Sequence, residues 1–323
     1  MLDYIGYLLM RLVGCFIQAG NVRVSIQVAN FLGRGLYKYY RRGRLRALEN
    51  LRAGYPEKSD DWIERVARSS FEQLARLPFE VFLNPRLLRR STYMNYFEVD
   101  NVGFTPMFEH IDSGRGLIMV TGHYGAFETL GYAMAARGMQ PYSVGRPIDN
   151  PYIDRYLREV REREGQRIID KKGAAEQMQQ VLSSGNILGL VADQNGSRKD
   201  IFVDFFGRKA ATYKSIGLLA MHHNVPIVVG YCRRLGDQYR FEVGLSRYIQ
   251  PNEWQEKDNP LQWITAEYTS AIEKFVRDAP EQYWWLHRRW KTRPPEERKA
   301  AQTQAAIKNG TAAEAAVPHT IPE

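Results

Sequence analysis

The sequence predicts an α/β protein: a mostly parallel central sheet flanked by helices, preceded by N-terminal membrane-associating helices. Three observations carry this. Between about 100 and 250, short apolar segments alternate with amphipathic ones of helical period, the pattern of strand–helix units on a parallel sheet. The 323 residues are 44% hydrophobic and 25% charged, enough for a sizeable core and ordinary for a globular chain. The net charge of +9 is concentrated at one end: residues 1–52 hold nine Arg/Lys against Asp3 and Glu49, a local +7. Two cysteines, Cys15 and Cys232, exclude a disulfide scaffold and point to a reducing compartment.

Residues 4–19 (YIGYLLMRLVGCFIQA) are apolar apart from Arg11. The run is short for a hydrocarbon core of about 30 Å and lacks the cleavage site of a secretory signal. Beyond it, Arg34, Lys38, Arg41, Arg42, Arg44 and Arg46 alternate with Phe31, Leu32, Leu36, Tyr37, Tyr39, Tyr40, Leu45 and Leu48. That is the composition of an interfacial helix, with apolar groups in the acyl boundary and cations on anionic head groups. The alternative is a helical hairpin packed on the protein's own core. Cations clustered beside an apolar anchor suit a membrane surface, and no nucleic-acid partner is expected.

A helix over 59–83 starts at Ser59 as cap, with Asp60 and Asp61 at its positive end and Ile63, Ala67, Phe71 and Leu74 on one face. Strands are expected at 116–121, 140–145, 166–170, 187–193, 226–232 and 239–245. Helices fall near 126–137, 151–164, 173–184, 212–223 and 260–277, the second opened by Asn150–Pro151. From 300 onward, eight alanines in 24 residues with few large apolar groups predict a disordered tail. The expected division is therefore 1–52 for the membrane-associating helices, 53–299 for the α/β domain and 300–323 for the tail.

No GxSxG elbow, GxxxxGK phosphate loop or strand-linked GxGxxG occurs. The His222–His223 pair sits where a helix should end and lacks a third ligand at helical spacing, so neither metal nor cofactor is expected. One constellation does carry chemistry. The 116–121 strand runs into TGHYGAFE, placing His123 and Glu128 at a strand-to-helix junction. A neutral imidazole can take a proton from a hydroxyl, and a carboxylate on its other nitrogen fixes the tautomer. Five residues along a regular helix leave two side chains about 140° apart. The pair can meet only if His123 precedes the helix, in a turn that Gly122 and Gly125 permit. Of the other histidines, His110, His222, His223 and His287 have no acid at that spacing. The alternative is a satisfied structural histidine.

GHYGAFE resembles the His-x4-Asp/Glu motif of the glycerolipid acyltransferase superfamily. RALENLRAGYPEKSDDWIERVARSSFEQLAR, VGRPIDNPYIDRYLREVREREG, LVADQNGSRKDIFVDFFGRKAATYKSIGLLA and PEQYWWLHRRWKTRP are similar, in order, to blocks of its bacterial lipid A biosynthesis (lauroyl/myristoyl) acyltransferase family. The resemblance covers about 45–295. It implies transfer of a fatty acyl chain from acyl carrier protein to an anionic glycolipid acceptor, at the cytoplasmic face of the bacterial inner membrane, without a cofactor.

By the same resemblance the base falls on His123 and its supporting carboxylate on Glu128, while Arg146 and Arg161 hold the acceptor, whose anionic head group needs guanidinium partners. Asp193, Gln194 and Asn195 end a strand on the rim that His123 occupies if both strands are parallel. There they could bind sugar hydroxyls or simply form a turn. Arg208 and Lys209 follow FVDFFG and could meet phosphate or solvent. YWWLHRRWKTRP interleaves cations with Trp284, Trp285 and Trp290, which suits a membrane interface or packing against the N-terminal helices. Arg11 and the DQNG stretch, where many relatives carry a second acid, depart from the pattern. Three readings stay open: acyl transfer to a lipid A precursor, acyl transfer from acyl-CoA to a phosphatidylinositol mannoside or other glycerolipid, and a non-catalytic membrane-binding protein on the same scaffold.

Overall fold

The computed structural model describes residues 1–99, 101–297 and 303. Four helices come first: α1 (Leu2–Ala19), α2 (Val22–Tyr39), α3 (Arg41–Gly54) and α4 (Asp60–Leu87). Next come β1 (Phe97–Val99), α5 (Asn101–Asp112), β2 (Leu117–Thr121), α6 (Phe127–Ala136), β3 (Pro141–Gly145), α7 (Pro151–Glu162), β4 (Arg167–Asp170), α8 (Ala174–Ser183) and β5 (Ile187–Val191). A hairpin of β6 (Ile201–Phe205) and β7 (Arg208–Thr212) precedes α9 (Ser215–His223), β8 (Ile227–Arg234), β9 (Phe241–Ile249), α10 (Pro251–Gln255) and α11 (Pro260–Asp278).

Seven strands form one sheet in the order β1-β9-β8-β2-β5-β3-β4, and β6 and β7 pair separately. Five neighbouring strands, β8, β2, β5, β3 and β4, run parallel; β9 runs against β8 and carries β1 parallel to itself. All five residues of β2 are buried, as expected of a central strand covered on both faces. The carboxyl ends of β2, β5, β3 and β4 therefore share one rim, where the chemistry of open α/β sheets collects.

Each expected strand and helix between 116 and 278 is present, with ends moved by a few residues. The β6–β7 hairpin, β1 and α5 were not expected. The helix from Ser59 runs to Leu87 through Pro78 and Pro85, past its expected end at 83. The single interfacial helix expected over 31–48 is broken at Tyr40 into α2 and α3, and Tyr37 and Leu48 lie in the core, so only part of the segment is free to face lipid. The expected disordered tail, 300–323, lies outside the described residues apart from Thr303.

Helix α1 lies on the body along α4 and α7. Gly14 meets the Phe82 ring so closely that a Cβ would come within 2.5 Å of it. Asn150 donates to the Asp3 carbonyl at 2.7 Å. Arg11, the one cation in the apolar run, turns onto the Tyr156 ring at 4.5 Å. The opposite face, with Ile5, Leu9, Leu12 and Phe16, is exposed, as are Val28, Phe31 and Leu32 of α2. By length and composition α1 is the one described helix able to cross a membrane.

Candidate active site

Strands β2 and β5 pair in register up to Thr121 and Val191, and Ala192 continues the ladder by donating to the Thr121 carbonyl. Two steps beyond the Thr121–Val191 pair along each chain, His123 stands opposite Asp193. The Asp193 carboxylate accepts from the His123 backbone N–H at 2.9 Å and from ring Nδ1 at 2.7 Å. Asp193 is 1% exposed and His123 8%. Burial alone would raise the Asp193 pKa; the charge and hydrogen bonds of His123, with His287 nearby, outweigh it and hold the carboxyl well below its usual range. An ionised carboxylate only accepts, so Nδ1 carries a proton toward it, and in the neutral imidazole the lone pair falls on Nε2. The Gln194 amide nitrogen stands 3.3 Å from that Nε2.

The turn between β2 and α6 has the form the sequence required. Gly125 has φ of +55°, and a Cβ there would sit 2.1 Å from the Cys232 carbonyl oxygen. His123 thus stands before the helix and Glu128 in its first turn. They do not meet. Glu128 instead takes a two-pronged ion pair from Arg161 of α7, Nε at 2.9 Å and Nη2 at 2.8 Å. This corrects the expected partnership: the parallel register gives the second ring nitrogen to Asp193, and the helical direction of α6 turns Glu128 away.

Glu128 and Arg161 line a cavity of about 280 Å³ under the rim. Its walls are apolar at Met119, Leu130, Met134 and Leu190, with Thr121, Ser143 and Gln166 among them. Phe127 both lines it and lies 5.1 Å from the His123 ring. Arg146 stands at its edge, its side chain 80% exposed and 3.5 Å from Asp149.

Other expected site residues are placed differently. Asn195 spends its side chain on structure: its amide donates to the Gly196 carbonyl and the Thr292 hydroxyl, and its oxygen accepts from the Thr292 N–H. Arg208 lies on the β6–β7 hairpin over the Trp290 ring at 4.9 Å, and Lys209 pairs with Asp204. Neither lines the cavity.

In the segment after α11, packing rather than a membrane interface accounts for two of the indoles. Trp285 is fully buried against Tyr55 and Phe206, and Trp290 packs, largely buried, against Phe205. As a strap it spans both halves of the histidine–aspartate pair. Gln282 accepts from the Gly125 N–H, and Trp284 donates to the His123 carbonyl. Arg289, 1% exposed, donates to the carbonyls of Gln194 and Ala211 and to the Thr212 hydroxyl. No local sequence signal marks these contacts.

A mostly parallel sheet whose rim holds a buried histidine–carboxylate pair beside a lined cavity defines an α/β enzyme. The model of the bacterial lipid A biosynthesis acyltransferases matches residues 1–292. The chain belongs to that family and is an acyltransferase. It is similar to the lipid A biosynthesis lauroyltransferase of Escherichia coli K12, at 28% identity over 271 residues, 81% of this chain and 84% of that protein. The lipid A biosynthesis acyltransferase of Haemophilus influenzae is 24% identical over 84% of this chain and 83% of its own length. For the myristoyltransferase of Escherichia coli K12 the figures are 26%, 82% and 80%.

Proposed function

We propose that the protein moves a fatty acyl chain from an acyl thioester, carried by acyl carrier protein, to a hydroxyl of a lipid A-type glycolipid precursor. His123 is the general base and Asp193 the carboxylate that orients it. The acceptor hydroxyl gives its proton to His123 Nε2 as its oxygen attacks the thioester carbonyl. The tetrahedral oxyanion then expels the thiolate, which takes the proton back from the imidazolium. Asp193 fixes the reactive tautomer and stabilises the imidazolium without itself being protonated. The observation carrying this reading is the buried Nδ1–Asp193 hydrogen bond. The relatives' names supply the acyl group and lipid A.

The cavity beside Phe127 takes an apolar chain, and the Glu128–Arg161 pair at its wall, with Arg146, meets the anionic acceptor. Glu128 serves by holding the Arg161 fork in place. The exposed apolar residues of α1 and α2, flanked by Arg34 and Lys38, attach the enzyme to the cytoplasmic face of the inner membrane. Mass spectrometry of membrane lipids tests the whole reading. Cells lacking the gene should lose one acyl chain from their glycolipid. The wild-type gene should restore it; His123→Ala and Asp193→Asn should not. Restoration by a folded His123→Ala protein would overturn the mechanism.

A further inference from the structure

His287 is a histidine the mechanism does not use. It lies in the strap, four residues past Tyr283, which bridges to Tyr124 in the catalytic turn. Its ring centroid is 4.5 Å from that of His123, with planes at 48°. Phe127 at 5.1 Å and Trp284 at 4.9 Å also contact the His123 ring. Two of these contacts are hydrocarbon or indole faces. The third is a second imidazole.

Its position is built, not incidental. The His287 N–H donates to the Trp284 carbonyl at 3.0 Å. From α3, Asn50 donates to the carbonyls of Trp285 at 2.7 Å and His287 at 3.0 Å, and Arg46 donates to that of Leu286 at 3.0 Å. Two side chains of one helix thus hold three successive carbonyls of the strap, and Asn50 is itself buried.

We propose that His287 is a positioning residue for His123, an uncharged second imidazole that bears on the base and holds its ring in the orientation set by Asp193. The inference rests on the reading of His123 as base. The groups around His287 are His123, Asp193, Arg46 and Arg289, and only Asp193 favours a proton there. Burial and His123 push the His287 pKa down to about 4. At neutral pH His287 therefore neither competes for the acceptor's proton nor places a cation beside the imidazolium that forms on His123.

Steady-state acyl transfer by the full chain, measured against pH for His287→Gln, His287→Phe and His287→Lys, tests the role. His287→Gln, which loses the ring, should lower kcat by about tenfold to a hundredfold with the thioester KM within about twofold, because a misaligned base costs rate more than binding. His287→Phe, an uncharged ring, should recover most of that loss. His287→Lys puts a fixed cation against His123 and should move the acid limb of the profile to lower pH by about one unit. An unmoved acid limb in His287→Lys, or wild-type kcat in His287→Gln, would overturn the positioning role. If the lysine variant does not fold, ring NMR of His287 in the wild type and in His123→Ala decides. The His287 pKa should rise once His123 is gone, and no rise would overturn the proposal. Inactivity of His123→Ala beside a silent His287 would sink this inference alone, whereas full activity of His123→Ala would sink the base assignment with it.

Discussion

Glu128 is gripped by both nitrogens of the Arg161 fork, at 2.9 and 2.8 Å, and makes no hydrogen bond or ion pair with His123. The carboxylate five residues after the histidine therefore lines the cavity wall and pairs with an arginine of α7. Both side chains are about one-quarter exposed, so the pair is partly shielded from water. Arg161→Ala and Glu128→Ala should each weaken acceptor use, and the double variant should be little worse than either. A coupling energy on the order of 1 kcal/mol is expected from such a cycle. Arg161→Lys should recover only part of the loss, since an ammonium cannot reproduce the fork. Strict additivity of the two single losses would show that the pair does not act as a unit.

Membrane attachment should depend on two faces at once. Phe16→Glu in α1 and Phe31→Glu in α2 place charge on exposed apolar positions without disturbing the buried approach of Gly14 to Phe82. Each should reduce recovery on anionic vesicles, with the folded α/β body still soluble. Raising salt should weaken binding of the wild type without abolishing it, because apolar insertion survives screening. Complete release at high salt would show that the apolar faces are not inserted.

Stability should fall on acidification in a window set by His287. Its pKa is 6.5 in an ordinary setting and about 4 in the fold, so between those values the unfolded chain binds a proton that the folded one refuses. Folding stability therefore drops as pH falls from 6.5 to 4, by on the order of 3 kcal/mol from this group. Asp193 acts later: its carboxyl is depressed, so its contribution is intact above the ordinary carboxylate range and is lost only on further acidification. His110 and His223, also pushed down by burial, act alike in wild type and variant. Urea midpoints at pH 7, 5.5 and 4.5 should fall less steeply for His287→Gln than for the wild type. Parallel slopes would contradict the His287 shift.

Much of the fold was legible because the sheet is parallel and covered. Runs such as 117–120 and Ile187–Val191 carry no charged or polar side chain and stand between helical periods. The β6–β7 hairpin was hidden by its turn, where Phe206 and Gly207 both take positive φ, a conformation usually announced by Asn-Gly. Pro85, inside the last turn of α4, masked its full length. The turn between β2 and α6 could be read from Gly125, but the partner of His123 lies 70 residues away, and only strand register joins them. The strand end was enough to put Asp193 on the rim, while its bond to the ring needed the knowledge that β5 neighbours β2. The strap was ambiguous for another reason. Tryptophan and arginine together describe a membrane interface as well as a buried seam, and tertiary packing decides between them.

The proposed mechanism makes Asp193, not Glu128, the residue that orients the base, and one comparison tests this most directly: kcat for acyl transfer by Asp193→Asn against that by Glu128→Gln. Each exchange is nearly isosteric, and each variant is checked for an unchanged melting temperature. Asparagine at 193 can donate to Nδ1 and so hold the wrong tautomer; the expected fall is about 10³- to 10⁴-fold, close to what the same exchange costs a serine-protease triad. Glu128→Gln leaves the ring untouched and should lose far less, with the loss appearing in acceptor KM. The reverse order, a crippled Glu128→Gln beside a nearly active Asp193→Asn, would contradict the assignment.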